Sequence, residues 1–161
     1  MAILKHSIAL IAACAFVAAC GGVDKQKFDA AARAGKVLQA DVESTHGQVG
    51  PEFRDHLKQF DTEVSALQDK AIGRREIDAV KAYTEAADAY RYFLRFRSLD
   101  LDKDSTQIQV KGPNLEVAER YKLPIDGRDG SKWVNRAQAV TLLLQAGEQH
   151  LTDGNRLVNG E

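Results

Sequence analysis

The sequence predicts an all-α fold: an up-and-down bundle of four long amphipathic helices plus one short helix, following an N-terminal leader. Three observations carry this. Long stretches repeat apolar side chains at spacings of three and four, the signature of one buried helical face. The segments between them are mostly short and hold Gly, Pro or Asp-Gly. The 161 residues are 44% hydrophobic and 28% charged, a globular balance in a chain long enough to bury one core.

The first helix is predicted over residues 25 to 46, with Phe28, Ala31, Ala32, Gly35, Leu38 and Val42 on one face. Its small residues allow a neighbouring helix to come close. "HGQVGP" breaks the pattern, and Pro51 suits the first turn of the next helix, where its missing N–H leaves nothing unsatisfied. That helix, 51 to 72, has the cleanest seam: Phe53, Leu57, Phe60, Val64, Leu67 and Ala71. Alternating steps of four and three match near-parallel helix packing. Gly73 ends it.

A third helix is expected from Arg74 to Leu99, closing in "YRYFLRFR". Tyr90, Phe93, Leu94 and Leu101 share one side, with Tyr92, Phe96 and Leu99 adjoining, while Arg91, Arg95 and Ser98 take a solvated arc. This helix is therefore buried over more than half its circumference. Residues 100 to 114 form a loop with one short strand at Gln107 to Lys111, where polar and apolar residues alternate. Asn114 is placed to cap a short helix, Leu115 to Lys122, that Pro124 stops. "IDGRDGS" carries two Asp-Gly turn signals. The last helix, 131 to 152, repeats the seam with Trp133, Ala137, Val140, Leu144, Gly147 and Leu151, and Asp153-Gly154 closes it.

The N-terminus points to an address. Lys5 precedes an apolar run of twelve residues, Ile8 to Ala19. A bilayer span needs about 20 apolar residues, whereas a signal-peptide core needs about 7–15. Val17-Ala18-Ala19-Cys20 resembles the lipobox of bacterial lipoproteins. The resemblance implies a diacylglyceryl group on the Cys20 sulfur, cleavage before it, and an acylated N-terminus. Acyl chains contribute about 0.8 kcal/mol per buried CH₂, so two or three anchor a small domain firmly. Ile11-Ala12-Ala13-Cys14 also fits the pattern, but cleavage there leaves a core of only Ile8 to Ala13. Gly21 follows Cys20, where enterobacterial lipoproteins retained in the inner membrane tend to carry aspartate. The expected location is therefore the periplasmic face of the outer membrane. The chain then divides into a signal peptide (1–19), a lipidated tether (20–24) and a helical domain (25–161).

Cleavage removes Lys5, the leader's one charged residue, and takes the formal net charge from −1 to −2. That balance offers no bulk attraction to nucleic acid. Acylation of Cys20 also removes the last free thiol, so the domain must hold together by its core alone.

Four candidate sites follow. Asp100, Asp102 and Asp104 alternate like the start of an EF-hand loop. The sixth position is Ser105 instead of Gly and the twelfth Lys111 instead of Glu, which excludes a full EF-hand and leaves looser cation binding. The block "YRYFLRFR" interleaves bases and aromatics as single-strand binders do, but net negative charge and an envelope address favour core aromatics flanked by arginine stems. Arg97 alone falls inside the apolar arc, where it must pair with a buried acid or cap helix carbonyls. His46, His56 and His150 form no i, i+4 pair, and zinc would need long-range convergence. No G-x-S-x-G, GxxxxGK[ST] or GxGxxG motif occurs, and no cofactor is indicated.

The expectation is a lipid-anchored envelope protein with a non-catalytic domain that binds another protein in an assembly, inhibitory or scaffolding role. The alternative is a small-ligand or cation-binding module, using a pocket between helices lined by Tyr83, Tyr90, Phe93 or Trp133 together with the acidic loop; Arg97 belongs to the same candidate ligand or partner surface. An unfamiliar enzyme would require a deep pocket enclosing two perturbed acids.

Overall fold

A computed structural model describes residues 23–45, 47–99 and 106–161, and these form one mostly helical body. Its elements in chain order are α1 (Lys25–Thr45), α2 (Glu52–Gln68), α3 (Arg74–Ser98), β1 (Gln107–Gln109), α4 (Pro113–Arg120), β2 (Ile125–Arg128), β3 (Ser131–Asn135) and α5 (Arg136–Asn159). The four long helices and the short one match the expected fold class. Val17, Ala18, Ala19 and Cys20, together with His46 and Asp100, Asp102 and Asp104, lie outside the described residues.

Contacts between named residues show that the long helices alternate in direction. Asp41 of α1 meets His56 of α2, and a Cβ on Gly35 would stand 3.3 Å from Phe60, so α1 and α2 run antiparallel. Phe53 packs on Tyr90 at 5.5 Å between centroids, and Phe60 on Tyr83 at 5.8 Å, both edge to face. That sets α2 against α3. Tyr83 and Tyr90 in turn lie against Gly154 and Gly147 of α5. Leu151 of α5 reaches Gly35 of α1 and closes the ring of four helices.

The seam of α2 is buried as its spacing predicts, from Phe53 to Leu67. Ala71 lies past the helix end, half-buried against the core. In α1 the buried face holds Ala34 where Ala32 was expected; Ala32 is half-buried. Asp24 starts α1 by accepting the N–H of Gln26 at Oδ1. Gly47 ends it at φ 80°, donating to the Val42 carbonyl. α3 is the central helix, with ten buried residues including Tyr83, Tyr90, Phe93 and Phe96. Arg91, Arg95 and Ser98 are exposed, as the helical projection places them.

The region after α3 departs from expectation. β1, β3 and β2 form a three-stranded antiparallel sheet with β3 in the centre. Ile108 pairs with Val134, and both are buried, so the sheet adds its own apolar face to the bundle. β2 and β3 are a hairpin closed by Asp129-Gly130, both with positive φ. That is the chemistry of a two-residue primed turn. Residues 131–135 are therefore strand where helix was expected, and Trp133 sits on β3. α5 starts at Arg136, capped by Asn135, whose side chain accepts the Gln138 N–H. It runs through Asp153-Gly154 to the left-handed Gly160. Its buried stripe is Ala139, Leu143, Gly147, Leu151, Gly154 and Val158, so only Gly147 and Leu151 of the expected seam are retained. Asn114 does not cap α4. That helix follows Gly112 with Pro113 in its first turn, and the Asn114 Oδ1 is buried without a hydrogen-bond partner among the described residues.

The bundle thus has two poles. The lower pole holds the start of α1, the α2–α3 turn and the end of α5. The upper pole holds the α1–α2 connection, the end of α3, the start of α5 and the sheet.

Candidate functional site

The residues singled out in the sequence do not converge on one pocket. Tyr83, Tyr90 and Phe93 are fully buried core side chains, each 0% exposed. Trp133 is half-buried on β3, opposite Gln109 and Asp126. The Tyr83 hydroxyl donates to Asn155 Oδ1 at 2.8 Å, and burial pushes its pKa up to about 12. The Tyr90 hydroxyl is buried with no hydrogen-bond partner among the described residues. Burial first, and the negative charge of Glu148 second, hold that phenol protonated. A lining role for Tyr83, Tyr90 and Phe93 does not fit their burial.

Arg97 behaves differently. Its Nη1 donates to the Val49 carbonyl at 2.7 Å, so it ties the end of α3 to the α1–α2 connection. It satisfies a carbonyl outside its own helix, where a buried acid or its own last turn was expected. Around it lies an open groove of about 670 Å³, lined by Gln48, Val49, Gly50, Pro51, Arg54, Leu94, Arg97 and Ser98. The charged side chains that line it are two arginines, and the Glu52 carboxylate lies against Gly50 at its edge.

Beyond Gln48 the surface drops into a second open cleft, of about 450 Å³, between the end of α1 and the first half of α5. Val42, Val140 and Leu144 form its apolar wall, and Glu43, Gln48, Gln145 and Glu148 its polar one. Glu148 is half-buried, and burial followed by the nearby Glu43 charge raises its pKa. Among the described residues neither carboxylate is in an ion pair; Glu43 accepts a hydrogen bond from Gln39. The cleft is open and Glu43 exposed, so this is not a deep pocket enclosing two perturbed acids. It suits a basic side chain laid across it. Sequence periodicity did not expose it, because Glu43 and Glu148 are 105 positions apart and meet only when α1 packs on α5.

The histidines form local pairs. His56 Nδ1 lies 2.7 Å from Asp41 Oδ2, and His150 Nδ1 lies 3.5 Å from Glu85 Oε2. Among the described residues no group of three His, Cys, Asp or Glu side chains could hold a metal ion. No described helix is long and apolar enough to cross a membrane. No protein-family model, no curated protein and no solved structure matches the chain.

Proposed function

We propose that this chain is a lipid-anchored bacterial envelope protein whose helical domain is non-catalytic and docks another protein at its upper pole. The observation that carries the reading is the pair of open grooves that meet at Gln48. One carries Arg54 and Arg97, the other Glu43 and Glu148. Adjacent grooves of opposite charge with apolar walls complement a polypeptide surface of mixed charge better than a small molecule, which is usually enclosed. The Cys20 lipobox supports the anchor, and α1, about 31 Å long at 1.5 Å per residue, holds these grooves away from its own start. Tethering raises the local concentration of both partners at the membrane surface.

A photo-crosslinking residue at Gln48, exposed and shared by both grooves, tests the reading in intact envelopes. The expected result is a discrete heterologous adduct that Arg54→Glu and Glu148→Lys each weaken. Self-products alone would contradict it.

A cation-binding module is the second reading, favoured by the Glu43 and Glu148 carboxylates, which line one cleft and are in no ion pair among the described residues. Calcium titration calorimetry separates the two: heat that vanishes in Glu148→Gln supports the cation, and no heat leaves protein docking.

A further inference from the structure

The lower pole carries an apolar side chain where a solvated turn has no packing use for one. Ile72, in the α2–α3 turn, is 84% exposed, and Ile77 on the first turn of α3 is 52% exposed. Ile72 sits in the run Lys70-Ala71-Ile72-Gly73-Arg74, with Lys70 and Arg74 both exposed. A single exposed isoleucine is ordinary in itself. The connection between this turn and the start of the described chain is what gives it meaning.

Glu76, the one buried charged residue among those described, makes that connection. Its Oε2 accepts the Ile72 N–H at 3.0 Å, and its Oε1 accepts the Asp24 N–H at 3.1 Å. Lys27 approaches the same carboxylate at 3.5 Å. Val23 already packs on the core. One carboxylate thus holds the isoleucine turn beside the first residues of α1. Cys20 is four positions before Asp24, and four residues reach at most about 14 Å. An acylated cysteine lies at headgroup level, and the headgroup layer is itself about 5–8 Å deep on each side of a bilayer.

We infer that the α2–α3 turn is a second membrane contact, resting its Ile72 side chain in the headgroup layer of a phospholipid surface with Lys70 and Arg74 against lipid phosphates. This rests on the lipid-anchor reading of Cys20 and adds an orientation to it. Asp69 and Asp78 bring the turn close to neutrality, so the apolar contact and the short tether carry the docking more than charge does. The bundle then stands with its lower pole on the membrane and its two grooves facing away.

The mature lipidated protein, with its cysteine acylated, takes a single thiol label. Ile72→Cys carrying an environment-sensitive fluorophore is reconstituted on vesicles of phosphatidylethanolamine and phosphatidylglycerol, with Val37→Cys, on the middle of α1, as the comparison. The expected result is a blue-shifted emission at position 72, quenched by a nitroxide lipid near the headgroups, and a water-like emission at position 37. Protein that floats with the vesicles while the label at 72 emits as in water overturns the inference and leaves the anchor standing. A blue shift that lipid nitroxide does not quench means that protein covers the turn, and overturns it equally. Failure to float with vesicles removes the anchor reading and the inference together.

Discussion

The Tyr90 ring occupies the space that a side chain on Gly147 would need: a Cβ there would stand 2.5 Å from Tyr90 Cε1 and 2.7 Å from Cδ1. Seven residues further along each helix, in opposite directions, Tyr83 lies against Gly154 in the same way, again at 2.5 Å. Ala79, Ala86 and Ala87 line α3 beside the tyrosines. Small residues facing large ones let the two helix axes approach closely and leave each tyrosine locked between glycine and phenylalanine.

Gly147→Ala therefore destabilises the fold, although alanine is the better helix former by about 0.8–1 kcal/mol. Inserting a methyl into a packed core costs about 1–3 kcal/mol, and the Phe53 edge leaves the Tyr90 ring no room to yield. A net loss of up to about 2 kcal/mol is expected in urea denaturation, and Gly154→Ala should behave alike. Tyr90→Phe removes only an unpartnered hydroxyl and should leave stability unchanged or raise it. A stabilised Gly147→Ala would show that the helices are not in close contact there.

These contacts also show what the sequence made legible. The α2 seam and the mostly buried α3 were readable because every third or fourth position carried a large apolar group. Gly147 was readable only as a seam member, and Gly154 as a helix stop. Glycine's usual role as a breaker gave way to close packing against Tyr83, a contact 71 positions distant. β3 was missed because Ser131 to Asn135 are too few to establish a period of two, and Trp133 happened to fit the helical spacing of α5. The Asp129-Gly130 turn was the available signal: two positive-φ residues between short extended runs specify a hairpin. The oppositely charged grooves had no sequence signal at all, since each draws its residues from separate elements.

Glu76 joins the start of α1 to the α2–α3 turn, and its ionised form is the one the fold uses. The Ile72 N–H, then the Asp24 N–H, then Lys27 hold its pKa below the ordinary 4.5, outweighing the opposing effect of burial. Its contribution is therefore complete above about pH 4.5 and is lost as pH falls through the lower folded value. At pH 7, Glu76→Gln should cost about 1.5–3 kcal/mol, the range for hydrogen bonds to a charged group. In acid titration the variant and the parent should converge below pH 4.5. A constant gap down to strong acid would contradict this.

Glu148 works in the opposite sense. Burial and the facing Glu43 raise its pKa, so the folded state binds its proton more tightly than the unfolded chain does. The cost of ionising it is absent below about pH 4.5, grows as pH rises through the raised folded value, and is complete above that. Glu148→Gln should raise the thermal midpoint at pH 7 and have no such effect at pH 4. Thermal scans at the two pH values decide it; an equal gain at both would assign the effect to packing instead of charge.

The central claim is that Cys20 carries the anchor, and intact mass measurement of the N-terminal peptide from the membrane fraction tests it most directly. The account predicts a mature chain that begins at Cys20, carries a diacylglyceryl group on sulfur, and becomes unacylated and membrane-free in Cys20→Ser but not in Cys14→Ser. A mature N-terminus elsewhere, or an unmodified Cys20 in protein that still sediments with membranes, would contradict it.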